Sequence, residues 1–536
     1  MIKILRYKTH IFLLLLCSWS FFNSIYQYTY NYDGFHWGLV LFSADGINKN
    51  LIPYKELFIH YGILTTYFNS ILLKIFNNNF FYIFSASSFA YGSSIFIIGL
   101  LIKKYSNSNY ALIGSLTIFF IHPYASFPWH TYYIFFLFCI FLLFRTSDNK
   151  YYQKFSYFVL SLIILFSESF FIPSVVILIF EFVLNFFNKK KNIIFSLKEF
   201  SIKLLFYSIP LFLFFLYLFL NDIFGYWKIY NQMIQVFFEI HNFGLLDLII
   251  NYILTIINKI IYNFYSEPQW IIFSVLILFN LFYLIKFLLK LFSGKNNKIE
   301  SNLAFVSFCS LTLLFQTLHS ITTFKFACGL VISFIVFFNF IDNIKNKDNR
   351  IILSTITLLL GISCFGNVKS DGNLIYVYDY KKEDYIKNSH FNYFASNKLD
   401  IDTWNHLIFF DKKIQQLKKN CNLTHGSNLS SDGIISVIIR DKLNLLQKIP
   451  WYDNSEGWMS IYFNTFLKYF DKNLPSNLQS HINKENILIY SDKTNYPYLK
   501  ILDRNINLKE KMIFIDLPYS YQNKNKILIF PKKCRD

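Results

Sequence analysis

Apolar residues run through the first two-thirds of the chain in stretches long enough to cross a bilayer, whose roughly 30 Å hydrocarbon core needs about 20 helical residues. Such runs fall at about His10–Ile25, Phe80–Ile102, Tyr110–Ile121, Thr131–Phe144, Phe155–Phe166, Phe170–Phe187, Ile202–Leu220, Trp270–Phe292, Leu303–Leu318, Phe324–Ile341 and Ile351–Phe365. They predict a polytopic α-helical membrane protein of about eleven spans. Two amphipathic stretches, Leu57–Phe76 and Leu245–Phe264, fit helices lying in or near the outer interface, and if only one of them spans, everything after it inverts. A cleaved signal peptide competes for the first run, but no small-x-small cleavage site follows it.

From Gly366 onward the pattern changes to Asn- and Lys-rich sequence with short apolar runs. Those at Ile434–Ile439, Ile487–Tyr490, Met512–Ile515 and Ile527–Phe530 predict strands, and Trp404–Lys419 predicts a helix. The expected organisation is a transmembrane part over 1–365, with 28–79 as its first outer loop, and a separate C-terminal α/β or α+β domain over 366–536.

Composition sharpens this picture: 54% of residues are hydrophobic, 21% aromatic and only 15% charged, where a soluble domain keeps about a quarter charged. The net charge of +19 would suit nucleic acid, but its placement argues against that partner. Lys3, Arg6 and Lys8, Lys103 and Lys104, Lys189 to Lys191, Lys295 and Lys298, and Lys345, Lys347 and Arg350 all fall in loops on one side of the expected spans. That is the positive-inside pattern, and it predicts a cytoplasmic N-terminus and an extracytoplasmic C-terminal domain. Cys17, Cys139, Cys309, Cys328 and Cys364 sit in or beside apolar runs as buried filler, whereas Cys421 and Cys534 can pair if their domain lies outside the cytoplasm. No cluster of acids has the pattern of a divalent-metal site, and neither metal nor cofactor is expected.

The chemistry concentrates after the first span, in Tyr32-Asp33-Gly34-Phe35-His36-Trp37-Gly38 and then Ile52-Pro53-Tyr54-Lys55-Glu56-Leu57-Phe58-Ile59-His60-Tyr61-Gly62. A carboxylate just past a hydrophobic helix is costly to desolvate, which makes Asp33 a functional candidate; the alternative is that it sits in interfacial water and caps the following helix. His36, Lys55, Glu56, His60 and Tyr61 are the substrate-binding candidates of this loop. Other polar residues stand at the outer ends of spans: His122, Trp129 and His130, Glu168 in a short hairpin, Asp222, Lys228, Glu267, His319 and Lys325. Of these, His130 and Glu168 join the binding candidates. In the terminal domain, Trp451-Tyr452-Asp453 and Trp458 form either an aromatic platform for a saccharide or a buried core patch.

The order of span, Asp, short helix, Ile-Pro-Tyr-basic-acid and Tyr-Gly resembles the first outer loop of the GT-C glycosyltransferases, which include the protein O-mannosyltransferases and bacterial aminoarabinose transferases. Members usually carry Asp-Glu where this chain has Asp33-Gly34, and a second acid near a Pro-Tyr segment, matched here by Glu56. The resemblance implies inverting transfer of a sugar from a polyprenyl-phosphate donor to a lipid, glycan or protein acceptor at the outer face, with Asp33 as general base. It also implies cations near the phosphate leaving group, for which Lys55, His36 and His60 are candidates, with Lys325 and Lys228 as outer-facing alternatives. Three alternatives remain at this stage: a flippase or transporter of lipid-linked saccharides, against which the absence of a repeated pattern of broken helices argues; an O-antigen polymerase or ligase, in which the key loop is expected late in the chain; and a structural or scaffolding membrane protein with the terminal domain as its binding part.

Overall fold

The computed structural model describes residues 7–30, 32–122, 124–125, 128–188, 193–229, 245–263, 267–293, 297–317, 323–365, 384–450, 471–492, 508–517 and 526–534. Lys3, Arg6, Lys189 to Lys191, Lys295, His319, Trp451-Tyr452-Asp453 and Trp458 lie outside them. Within the described residues, every expected span falls on helix. Among the described residues, six helices are long and apolar enough to cross a membrane: Lys8–Tyr30, Phe81–Tyr105, Glu168–Phe187, Leu197–Leu220, Gln269–Phe292 and Thr323–Asp342. The protein is therefore integral to a membrane. The others are shorter; Ser108–Ile121 and His130–Arg145 have 14 and 16 residues, below the length of a perpendicular span.

Residues group into two compact units, one over 1–27, 84–215 and 244–376, the other over 28–83, 216–243 and 377–536. The first outer loop, which the hydropathy pattern attaches to the membrane part, thus shares a unit with the terminal residues. In the first unit several helices start on Asn caps. Asn107 accepts from Asn109 N at 2.9 Å, Asn149 from Tyr151 N at 2.8 Å, and Asn346 from Asp348 N at 2.8 Å. Asn297 and Glu300 form a reciprocal capping box. Small residues let helices close up, as where Gly361 meets Thr117 and Gly92 meets the Cys17 carbonyl.

One charged cluster is buried among these helices. Glu181, with no solvent exposure, accepts from Arg145 Nη2 at 2.7 Å and Nε at 3.0 Å, pairs with Lys203, and accepts from Asn185 at 2.9 Å. The Arg145 guanidinium also lies over the Phe305 ring at 4.9 Å. Both carboxylate oxygens are used, which is what makes such burial tolerable.

The second unit is α/β. Strands β1 (Tyr385–Lys387) and β2 (Lys398–Asp400) pair antiparallel. A five-stranded sheet comprises β3 (His425–Leu429), β4 (Asn444–Leu445), β5 (Ile487–Asp492), β6 (Met512–Asp516) and β7 (Lys526–Pro531), in the order β4-β3-β5-β7-β6. β3 runs parallel to β4 and β5, while β7 is antiparallel to β5 and β6. A disulfide between Cys421 and Cys534, Cα atoms 5.4 Å apart, ties the end of helix Ile401–Cys421 to the segment after β7. Ile434–Ile439, expected as a strand, is helical (Gly433–Lys442). Its apolar run is buried on all sides, so hydrophobicity alone carries no helical period. The sheet takes the polar segment His425–Leu429 instead. The expected interfacial helix over Leu57–Phe76 starts only at Ile63, because Pro53 and a bridge between Pro53 and Leu57 hold the preceding residues in a turn.

Helix Gly34–Asn48 crosses helix Gly433–Lys442 at Gly38 and Gly433, where a Cβ on Gly38 would lie 2.5 Å from the Gly433 Cα. Backbone meets backbone, so no side-chain shift can relieve a larger residue. Gly38→Leu is expected to lower the thermal midpoint of the detergent-purified protein sharply or prevent its accumulation. Gly225→Ala, with open space around it, is the matched control and should leave the midpoint within a degree or two; equal midpoints for both variants would contradict the crossing. Glu181→Gln strands two buried cations and is expected to cost about 3–5 kcal/mol, read as a lower unfolding midpoint.

Candidate functional site

The loop after the first helix is anchored by rings. Trp37 is fully buried, with its ring centroid 4.9 Å from Tyr28, 5.5 Å from Phe80 and 5.6 Å from Tyr32. That cluster fixes the start of helix Gly34–Asn48 and hence Asp33, whose extended backbone (φ −135°, ψ 93°) places it as N-cap. Asp33 Oδ1 accepts from the His36 backbone N–H at 2.9 Å, and Oδ2 pairs with His36 Nδ1. The capping alternative is therefore realised, and the same carboxylate also holds an imidazole. Burial pushes the Asp33 carboxyl up, but the electrostatic pull of the His36 ring and hydrogen bonds from His36 and Phe35 outweigh it. Asp33 consequently lies below the ordinary carboxylate value and stays ionised as pH falls through that range.

A second carboxylate stands beside it. The space that a side chain at Gly34 would enter is filled by the carboxylate of Asp432. Asp432 is fully buried, caps helix Gly433–Lys442 through Ile434 N at 2.8 Å, and accepts from the Tyr32 hydroxyl at 3.2 Å. The carboxylate that lies against Gly34 thus comes from 398 residues further along the chain. Ser430-Ser431-Asp432-Gly433 before an apolar run is an N-cap signature, hidden when that run is taken for a strand. Asp45 is the acid within helix Gly34–Asn48 itself. It accepts from Tyr393 at 3.0 Å and pairs with Lys49 at 3.0 Å and Arg440 at 3.3 Å. Arg440 stacks on Phe42 at 3.6 Å.

The remaining loop candidates do not all converge on Asp33. Glu56 is exposed and closes its own turn, accepting from Ile52 N at 2.9 Å. Tyr54 within that turn is fully buried with φ 64°, a left-handed conformation that a bulky residue adopts only under local constraint. The Lys55 ammonium lies 5.8 Å from the Tyr226 ring centre, and the Lys55 carbonyl accepts from Lys448 at 2.9 Å. His60 packs edge-on to Tyr61, centroids 4.6 Å apart, with Tyr61 almost fully buried. Asp222, with φ 53°, and exposed Lys228 lie in the second unit, after helix Ile193–Leu220.

The candidates expected at span ends in the first unit make several separate contacts. Trp129 stacks on Phe324 at 6.0 Å and faces the Lys325 ammonium at 5.9 Å. Buried Glu267 accepts from Trp270 Nε1 at 2.7 Å and Thr323 Oγ1 at 3.0 Å. His122 packs against Tyr91 and Tyr124. His130 opens helix His130–Arg145 beside Trp129, and Glu168 opens a single 3-10 turn. Among the described residues, no group of three His, Cys, Asp or Glu side chains is placed to hold a metal ion.

Since Asp432 fills the place of a side chain at 34, Gly34→Glu, although it restores the Asp-Glu pair, is expected to lower the unfolding midpoint. A variant as stable as the parent would show that the Asp432 carboxylate does not occupy that space.

No family model matches the chain, and no curated protein matches it. Among solved structures, an oligosaccharyltransferase from Archaeoglobus fulgidus, in complex with zinc and sulfate, is similar over 90% of this chain and 68% of its own, at 12% sequence identity and a TM-score of 0.49.

Proposed function

We propose that this integral membrane protein is a GT-C-type, inverting glycosyltransferase that moves a sugar from a polyprenyl-phosphate donor to a hydroxyl of a lipid, glycan or protein acceptor at the outer face of a bacterial plasma membrane. The observation that carries the reading is the Asp33–His36 pair at the first turn of a helix that begins immediately after the N-terminal apolar helix. The Cys421–Cys534 disulfide supports an extracytoplasmic second unit, since such bonds persist in oxidising compartments.

Both Asp33 oxygens are engaged with His36, which refines the chemistry from a lone carboxylate to an acid–imidazole pair. Asp33 orients the ring and favours a proton on Nδ1, leaving Nε2 as the proton acceptor. The acceptor hydroxyl then loses its proton to Nε2 as its oxygen bonds to the anomeric carbon. The bond from that carbon to the phosphate oxygen breaks, and polyprenyl phosphate departs as the anion. Lys55, at the edge of the loop, is the cation proposed to meet that phosphate, with His60, Tyr61 and Glu56 shaping the loop around the substrate. His130 and Glu168, in the other unit, have no assigned step.

Transfer from a radiolabelled polyprenyl-phosphate sugar, measured on the full-length protein in vesicles, tests this. Asp33→Asn and His36→Gln are each expected to lower kcat by about 10²- to 10⁴-fold at unchanged protein level, and Lys55→Ala to raise KM for the donor. Full activity in Asp33→Asn removes the pair from the mechanism. Movement of the lipid-linked sugar across the vesicle membrane without a new glycosidic bond supports the transporter reading instead.

A further inference from the structure

A cavity of about 390 Å³ opens in the second unit near the far end of helix Gly34–Asn48, at the small end of the range for ligand pockets. Asp45 on its wall is twelve residues from Asp33, roughly 18 Å along the helix at 1.5 Å per residue. The cavity is therefore distinct from the Asp33–His36 pair, although the same helix carries both.

Its lining is rich in ionic groups whose charges are already matched. Asp45 pairs with Lys49 and Arg440, Asp441 with Lys49, and Asp411 with His390 at 3.0 Å and Lys442 at 3.6 Å. A charged ligand would add an unmatched charge to this balanced set. Burial also pushes the Asp441 carboxyl above its ordinary value, against the pull of Lys49.

A neutral ligand rich in hydroxyls faces no such penalty. A carboxylate offers about four acceptor sites and an ammonium three donors, so paired groups retain capacity for further hydrogen bonds. The exposed amides of Asn78 and Asn392, both on the wall, each add a donor and an acceptor. A sugar hydroxyl, which donates and accepts at once, fits that alternation. Phe391 adds an apolar edge to the wall: it is 8% exposed and lies nearly parallel to Trp404, centroids 6.4 Å apart.

We propose that this cavity is a subsite for one or two neutral sugar residues of a glycan substrate, held remote from the Asp33–His36 pair. The substrate class rests on the transferase reading; the existence of the subsite rests on the cavity. A bound glycan would run from here towards the reacting end, so that the two ends of one helix would set the distance between recognition and chemistry.

Saturation-transfer NMR on the full-length protein in detergent, with neutral disaccharides as probes and glucosamine, glucuronate, inorganic phosphate and a short Ser/Thr peptide as comparators, tests the proposal. The expected result is binding of at least one neutral disaccharide in preference to every comparator. Asn392→Trp, which fills the cavity from an exposed position, and His390→Ala should weaken it at least tenfold, while Asp33→Asn should leave it unchanged. No disaccharide binding, binding untouched by Asn392→Trp and His390→Ala, or preference for a comparator overturns the inference. Binding that is lost in Asn392→Trp in a protein without transferase activity upholds the subsite and defeats the transferase reading; transfer without such binding does the reverse.

Discussion

Two glycines set the second unit. Where Gly38 meets Gly433, the backbones of two helices touch with nothing between them, and neither helix can carry a larger residue there without being driven off the other. The flanking contacts depend on that closeness. One turn before Gly38, Asp432 enters the space at Gly34; two turns after it, Arg440 reaches Asp45 and the Phe42 carbonyl, the latter at 2.8 Å. A loop that hydropathy assigns to the membrane is thereby locked to residues near the other end of the chain, and Asp33 and His36 inherit the rigidity of that contact.

Charge is handled locally throughout. Asp33 and Asp432 each sit at a helix N-terminus, where backbone N–H groups and the helix dipole favour an anion. Glu181 in the first unit is matched by two cations, and Lys526 and Asp492 pair in the sheet with almost no exposure. Burial without a partner is what would make such groups expensive, and the pairing explains how a chain so poor in charge keeps several of its charged side chains inside.

The membrane helices were legible because their signal is a sum over many residues, and the Asn caps at their starts were equally visible in principle. The terminal α/β character was legible too, from Ile487–Tyr490, Met512–Ile515 and Ile527–Phe530. Ile434–Ile439 was not, since a run buried on every side has the same composition as a helix or a central strand. His425–Leu429 lacks strand-like composition, its Ser427 and Asn428 being accommodated by hydrogen bonds to Gln447 at 2.9 and 2.7 Å. At the candidate site, Asp33 and His36 stood out in the sequence because they neighbour a span. Asp432 and Arg440 did not, because their role arises only when residues almost 400 positions apart are brought together. Gly34 becomes intelligible once the Asp432 carboxylate is seen in the space that a side chain there would need.

The central claim is that Asp33 holds the His36 ring so that Nε2 accepts a proton. Nitrogen-15 NMR of the full-length protein with labelled histidine tests it most directly, through the tautomer of His36. The account predicts a proton on Nδ1 in the neutral ring, with its hydrogen-bonded signal lost in Asp33→Asn; a neutral ring protonated on Nε2, or a signal indifferent to Asp33→Asn, would contradict it.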